Sequence, residues 1–311
     1  MSYAAIQKRL DDGRLVLLDG GVGTELERRG AAMDPGAWCG PASRDNAALL
    51  EEVHGAYLAA GADVITANTY ASSRIMLEPA GFGDDVDEIN RIAVDAAQRA
   101  RAASGREDHV AVAGSLSHMA PITGGTDRPD RDNLPSSDAF EEALTELALL
   151  LKDAGCDLLV LEMLYDPYRI TPVFKAAQAA GLPAWAGFTA RKDDRGRLLS
   201  FDPHRDLAFG DVLDPLDQFE VAAAGVMHTP SHVTGEALDA VRARYPGPLT
   251  AYPDSGYFKM PQWQFEDVIA PDAFADFAQG WVTIQGAAVV GGCCGLSPDH
   301  IEALKPLRAQ S

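Results

Sequence analysis

The chain is short of positive charge: 26 Lys and Arg stand against 46 Asp and Glu in 311 residues, a formal net charge of -20. Such a field repels the phosphates of nucleic acid and anionic lipid headgroups, so neither is expected as a partner. No apolar stretch approaches the roughly 20 residues of a membrane helix, and Met1 to Leu10 lacks the basic-then-apolar order of a secretion signal. A cytoplasmic protein is expected. Cysteine is scarce too, with Cys39 and Cys156 isolated and Cys293 and Cys294 adjacent, which is no disulfide framework for a chain of this length. A phosphate-binding Gly fingerprint at the first helix is also missing, which argues against an open dinucleotide-binding sheet. What is present is a hydrophobic fraction of 47%, enough to bury one large core and to exclude a disordered chain.

Short apolar runs alternate with longer amphipathic stretches along the whole chain, the rhythm of parallel βα units. Strands are expected at Arg14–Gly20, Asp63–Tyr70, Val110–Leu116, Asp157–Leu164, Pro183–Ala190, Ala223–Thr229, Leu249–Asp254 and Ala287–Cys293. Helices are expected near Asn46–Ala60, Asp85–Ser104, Ser137–Ala154, Pro167–Ala180, Asp206–Gln218, Gly235–Arg244, Pro271–Gln279 and Pro298–Leu307. Four Ala-Gly junctions, at Gly61, Gly155, Gly181 and Gly225, suit left-handed helix C-caps before the next strand. Eight strands in strict alternation point to an α/β protein, a closed (β/α)8 TIM barrel forming a single domain over residues 1–311. Its function then sits on the loops after the strands. Glu25–Asp45, Ser117–Leu134 and Arg191–Arg205 are the longest of these loops and are expected to form lids or pocket walls.

The most specific pattern is Gly291-Gly292-Cys293-Cys294-Gly295 at the end of the eighth strand. Neighbouring strand residues face opposite ways, so two adjacent sulfurs meet one metal only where the pleat breaks, and flanking glycines permit that break. A disulfide between adjacent cysteines is a strained ring, which leaves two thiolates on Zn2+ or two small buried side chains as the readings.

Gly291–Ile301, Gly-Gly-Cys-Cys-Gly-Leu-Ser-Pro-Asp-His-Ile, resembles the signature of the homocysteine S-methyltransferase family. That family includes betaine and S-methylmethionine homocysteine methyltransferases and the homocysteine module of cobalamin-dependent methionine synthase. Leu18–Leu26, Ala60–Tyr70 and Tyr252–Gly256 are similar to it as well, so the likeness is collinear along nearly the full chain. The resemblance implies a zinc ion on three sulfurs at the barrel mouth and a methyl transferred from an onium donor to the thiol of homocysteine, giving methionine. The partners it implies are small molecules, a thiol amino acid and a methyl donor, and a homo-oligomer is compatible with it.

The family's third cysteine is missing. At that place the chain reads Gly225-Val226-Met227-His228, so the implied metal set is Cys293, Cys294 and His228, with His118 or His232 as substitutes and a weakly held or absent metal as the alternative. The resemblance further implies that Glu162 holds the substrate amine, that Asp19 and Gly20 contact homocysteine, and that Thr66 and Asn68 assist. Trp38 and Tyr70 match donor-pocket positions, with Tyr165, Tyr168, Trp185 and Trp263 as further aromatic candidates. Asp254, where the family commonly has Asn, adds negative charge suited to a cationic ligand. Two other functions fit the departures: a repurposed enzyme that demethylates another small molecule onto a different thiol, and a metal-free binding barrel.

Overall fold

Runs such as Leu158-Leu159-Val160-Leu161 are apolar without alternation because a barrel strand is covered on both sides, by helices outside and by the packed interior within. In the computed structural model, which describes residues 2–130, 134–202 and 205–309, eight such runs form parallel strands. They are β1 (Val16–Leu17), β2 (Val64–Ala67), β3 (Ala111–Ser117), β4 (Leu158–Leu164), β5 (Ala184–Phe188), β6 (Ala223–Met227), β7 (Leu249–Tyr252) and β8 (Ala287–Val290). Each pairs with its sequence neighbour, and β1 pairs with β8 through Val16 opposite Val289 and Leu17 opposite Val290. Between β1 and β2 the Asp63 amide donates to the Leu17 carbonyl at 2.7 Å and the Asp19 amide to the Val64 carbonyl at 3.0 Å, which closes the (β/α)8 barrel.

Helices cover the outside at Ala47–Ala60, Val86–Ala103, Ser137–Asp153, Pro167–Ala180, Ser231–Arg242, Pro271–Thr283 and Pro298–Ala303. Ser136 and Asp166 cap two of them with side-chain oxygens on the Ala139 and Tyr168 amides. Gly61, Gly155 and Gly181 take φ of +109°, +97° and +68°, as left-handed corners require. Gly225 does not. It lies inside β6, where an added Cβ would stand 1.8 Å from the Thr250 carbonyl oxygen, so close strand packing explains that glycine.

Six of the strands end earlier than expected because their last residues leave the ladder near the barrel mouth, whereas β3 runs on to Ser117 and β4 ends at Leu164 as expected. The helix expected at Asp206–Gln218 is instead a 3-10 segment, Phe209–Asp217, with Pro215 inside it. The Glu25–Asp45 connection is partly helical, at Val22–Arg28 and Ala42–Asp45, and a further helix, Ser2–Asp11, precedes β1. The other two long connections lie in part outside the described residues. In their described parts, Ala190–Lys192 pairs with Leu198–Ser200, and the loop after β3 clasps a hairpin formed by Tyr257–Lys259 and Gln262–Gln264. The clasp is the Gly125 amide on the Met260 carbonyl at 3.0 Å and the Met260 amide on the Thr126 carbonyl at 2.9 Å.

Opposite the mouth, the fully buried Asp63 receives Arg9, Arg106 and Arg308 at 3.1, 3.0 and 2.5 Å and the Leu17 amide at 3.0 Å. One carboxylate thus ties the first helix, the second strand, a loop and the C-terminal segment together. Among the described residues no helix is long and apolar enough to cross a membrane.

Candidate metal centre

Beyond Val290 the chain turns off the barrel wall. The Gly292 amide donates to the Asp19 carbonyl at 2.8 Å and the Cys293 amide to the Pro253 carbonyl at 2.7 Å. A Cβ on Gly291 would come 2.7 Å from Leu18 Cβ, and one on Gly295, whose φ is +80°, would come 1.9 Å from the Ser255 carbonyl oxygen. The glycines therefore let this segment press against its neighbours and bend. The result is the broken pleat that the two sulfurs need: Cys293 Sγ and Cys294 Sγ lie 3.8 Å apart.

His228 follows β6 and takes φ +42°, a left-handed conformation that costs of order 1–3 kcal/mol and concentrates at functional sites. Its Nδ1 lies 3.6 Å from Cys293 Sγ, and one ligand atom from each of His228, Cys293 and Cys294 falls within 4.8 Å of the others. A tetrahedral zinc with Zn–S about 2.3 Å and Zn–N about 2.0–2.1 Å has ligand-to-ligand edges of about 3.8 Å (S to S) and about 3.5 Å (N to S). The Cys293–Cys294 and Cys293–His228 separations lie close to those edges, so the donor set fits zinc, which would keep one further position for a ligand.

The other residues singled out from the sequence line the same cavity: Asp19, Gly20, Trp38, Thr66, Asn68, Tyr70 and Glu162. Glu162 precedes Met163, whose φ is +57°, and the pairing of β4 with β5 slips between Leu161 and Leu164. That bulge places the carboxylate at the mouth, where Ser115 Oγ donates to it. Burial pushes the Glu162 pKa up to about 7, against the opposing pull of Ser115 and His228. Asp19 is more committed: its two oxygens accept from the Thr66 amide at 2.6 Å and the Thr66 hydroxyl at 3.0 Å. Asn68 is tethered to the preceding loop through the Cys39 carbonyl at 2.8 Å and Ser43 Oγ at 2.9 Å.

Trp38 and Tyr70 meet edge to face at 5.9 Å, and Phe258 from the hairpin meets Trp38 at 5.1 Å. The remaining aromatic candidates divide. Trp263 lies 5.7 Å from the His228 ring, and Tyr165 lines the cavity beneath His118. Tyr168 is 76% exposed, and Trp185 is buried with its indole nitrogen 3.4 Å from the Tyr3 hydroxyl. Neither of these last two lines the cavity. His232 is exposed on its helix, and His118 Nε2 accepts from the Tyr165 amide at 3.3 Å, so neither substitute stands in the ligand group.

Residues that sequence reasoning missed as cavity walls are Met119, Phe258, Tyr252 and Arg169. The hairpin that carries Phe258 consists of two three-residue strands, Tyr257–Lys259 and Gln262–Gln264, too short for their alternation to stand out in the sequence. Among the described residues Arg169 is the one Lys or Arg on the cavity wall, and Asp166, the His118 carbonyl and the Tyr165 hydroxyl already hold it. Around the centre, beside Cys293 and Cys294, stand Asp19, Glu162 and Asp254, three carboxyls whose pKa values burial pushes up, so that a bound cation would favour their ionised form.

The family model described as homocysteine S-methyltransferase matches residues 16–307. The homocysteine S-methyltransferase of Escherichia coli strain K12 is 31% identical, over 95% of this chain and 96% of its own. A selenocysteine methyltransferase of Astragalus bisulcatus is 26% identical, over 94% and 92%. Among solved structures, the metallated form of the homocysteine methyltransferase MmuM from Escherichia coli superposes with a TM-score of 0.76 at 27% identity, covering 99% of this chain and all of that one.

Proposed function

The chain belongs to the homocysteine S-methyltransferase family, and from that premise we propose that it moves a methyl group from an onium donor to the thiol of homocysteine at a zinc centre held by His228, Cys293 and Cys294. The carrying observation is the pair of separations, 3.8 Å between the sulfurs and 3.6 Å from sulfur to imidazole, in a cavity that also holds Glu162. Zinc, when bound, lowers the pKa of a coordinated thiol so that it is a thiolate near neutral pH.

The protein side chains do the rest. Glu162, ionised, holds the substrate ammonium and so fixes where the sulfur points; Asp19, braced by Thr66, shapes the floor beside it. Trp38, Tyr70 and Phe258 present ring faces and edges to a donor whose methyl is attached to positively charged sulfur or nitrogen. In the transfer, a carbon–sulfur bond to homocysteine forms as the bond from methyl to the onium atom breaks, and its electron pair leaves on the neutral donor product.

Metal analysis with a methyl-transfer assay tests this. We expect one zinc per chain and turnover that requires both homocysteine and an onium donor; metal-free protein as purified from zinc-replete cells, with no thiol-dependent turnover, overturns it. Imidazole in place of a third thiolate would make a zinc ion held there more electrophilic and a thiol coordinated to it less electron-rich. That favours a second reading, a different thiol acceptor, and a panel of thiols assayed with each donor separates the two.

A further inference from the structure

The turn after β7 touches every member of the ligand group. The Tyr252 carbonyl accepts from the His228 amide at 3.1 Å, the Pro253 carbonyl from the Cys293 amide at 2.7 Å, and the Ser255 amide donates to the Cys294 carbonyl at 3.0 Å. In the middle of this clamp stands Asp254. Its Oδ2 lies 3.6 Å from His228 Nε2, while Nδ1 of the same ring faces Cys293. The imidazole is thus held between a sulfur on one side and a carboxylate on the other, with the two side chains only 11% and 14% exposed.

We propose that Asp254 is the positioning residue of the centre: it holds His228 in the tautomer with the proton on Nε2, so that the Nδ1 lone pair is turned toward the two sulfurs. A neutral imidazole can ligate through one nitrogen only if the other carries the proton, and the group facing that proton decides which nitrogen it is. Here the candidate acceptor on the Nε2 side is a carboxylate, and Phe201 and Trp263, edge-on at 5.6 and 5.7 Å, limit the swing of the ring. The pairing also settles charge. Two thiolates and a neutral imidazole leave a dication just neutralised, and an adjacent carboxylate supplies the extra negative charge that a third thiolate would have brought.

Asp254 Oδ1 has no hydrogen-bond partner among the described residues. That oxygen is therefore not used to brace the turn, which backbone bonds already hold. Across the turn the carboxylate's other oxygen, Oδ2, faces the His228 ring.

The inference rests on His228 being a ligand, and a double-mutant cycle separates the two claims. Zinc affinity is measured by chelator competition, and Co2+ loading by the sulfur-to-cobalt absorption, for the parent, Asp254→Asn, His228→Cys and the double variant. Asp254→Asn keeps the shape of the side chain and every backbone bond of the clamp. It should weaken zinc binding about 10- to 100-fold while the Co2+ stoichiometry and the thiolate band remain. With His228→Cys in place there is no imidazole to orient, so the same Asn substitution should change affinity less than about threefold. Asp254→Glu should recover part of the loss. Equal losses in both backgrounds, or no loss in either, overturn the orienting role. A parent that binds no metal, or His228→Ala with unchanged affinity and spectrum, overturns the ligand reading beneath it.

Discussion

Glu162 shows how much one residue's surroundings decide. An ammonium partner needs the carboxylate form, and burial holds this acid's pKa up at about 7. kcat/KM for the thiol amino acid should therefore rise as pH climbs through about 7 and then level off. Glu162→Gln should abolish that limb and raise KM at least about tenfold, the size of a lost charged hydrogen bond of roughly 1.5–3 kcal/mol; rates from pH 5.5 to 9 test both. A profile with the same limb in the variant removes Glu162 from amine recognition. For stability the sign is reversed. The folded pKa lies above the ordinary 4.5, so this group's contribution is fully present below 4.5 and is lost as pH rises through about 7. The Gln variant should thus gain on the parent in urea unfolding at pH 8, with the gain vanishing near pH 4.5. The sequence signalled Glu162 because an acid ends an apolar run. It gave no sign that Thr66 and Asn68 bond to Asp19 and to the Cys39–Ser43 loop, since those partners lie 47 and between 25 and 29 residues away.

Among the elements, β6 carries the tightest constraint. Gly225→Ala would drive a methyl into the Thr250 carbonyl 1.8 Å away, separating β6 from β7 three residues before His228. Overpacking typically costs about 1–3 kcal/mol, and a backbone clash belongs at or above the top of that range. Urea unfolding should show about 3 kcal/mol or more lost, with weaker zinc binding in whatever folds. Gly280, inside the helix Pro271–Thr283 with no atom within 4 Å of an added Cβ, is the contrast. Gly280→Ala should stabilise by about 0.5–1 kcal/mol through helix propensity alone, with kinetics unchanged. The two glycines look alike in sequence; only packing tells them apart. Helices of low intrinsic propensity, such as Val22–Arg28 with its Gly23, also escape sequence reasoning. That helix is held by its position, since Gly23 lets it approach Cys39 Sγ to 2.8 Å of where a Cβ would be.

For the whole molecule, the Asp63 ion-pair cluster and the candidate metal centre occupy opposite ends of the barrel. Asp63 binds three arginines from distant parts of the chain at the end away from the cavity, and none of these four residues lines it. Asp63→Ala leaves three guanidinium groups without their shared counter-charge, and breaking a buried ion pair from one side typically costs about 3–5 kcal/mol. The variant's unfolding midpoint should drop accordingly while its folded fraction keeps the parent's KM for both substrates. A changed KM with an unchanged midpoint would mean that the two ends are coupled.

The eight-strand order, the parallel barrel and the juxtaposed cysteine pair were legible in the sequence itself, because hydrophobic periodicity and glycine-flanked chemistry are local properties of the chain. His228 was legible only as an occupant of a position. What tertiary structure alone decided is how that ring is turned, which carboxylate faces it and which hairpin roofs the pocket. These depend on contacts between segments far apart in sequence, where distance and direction in space, and no pattern along the chain, carry the interaction.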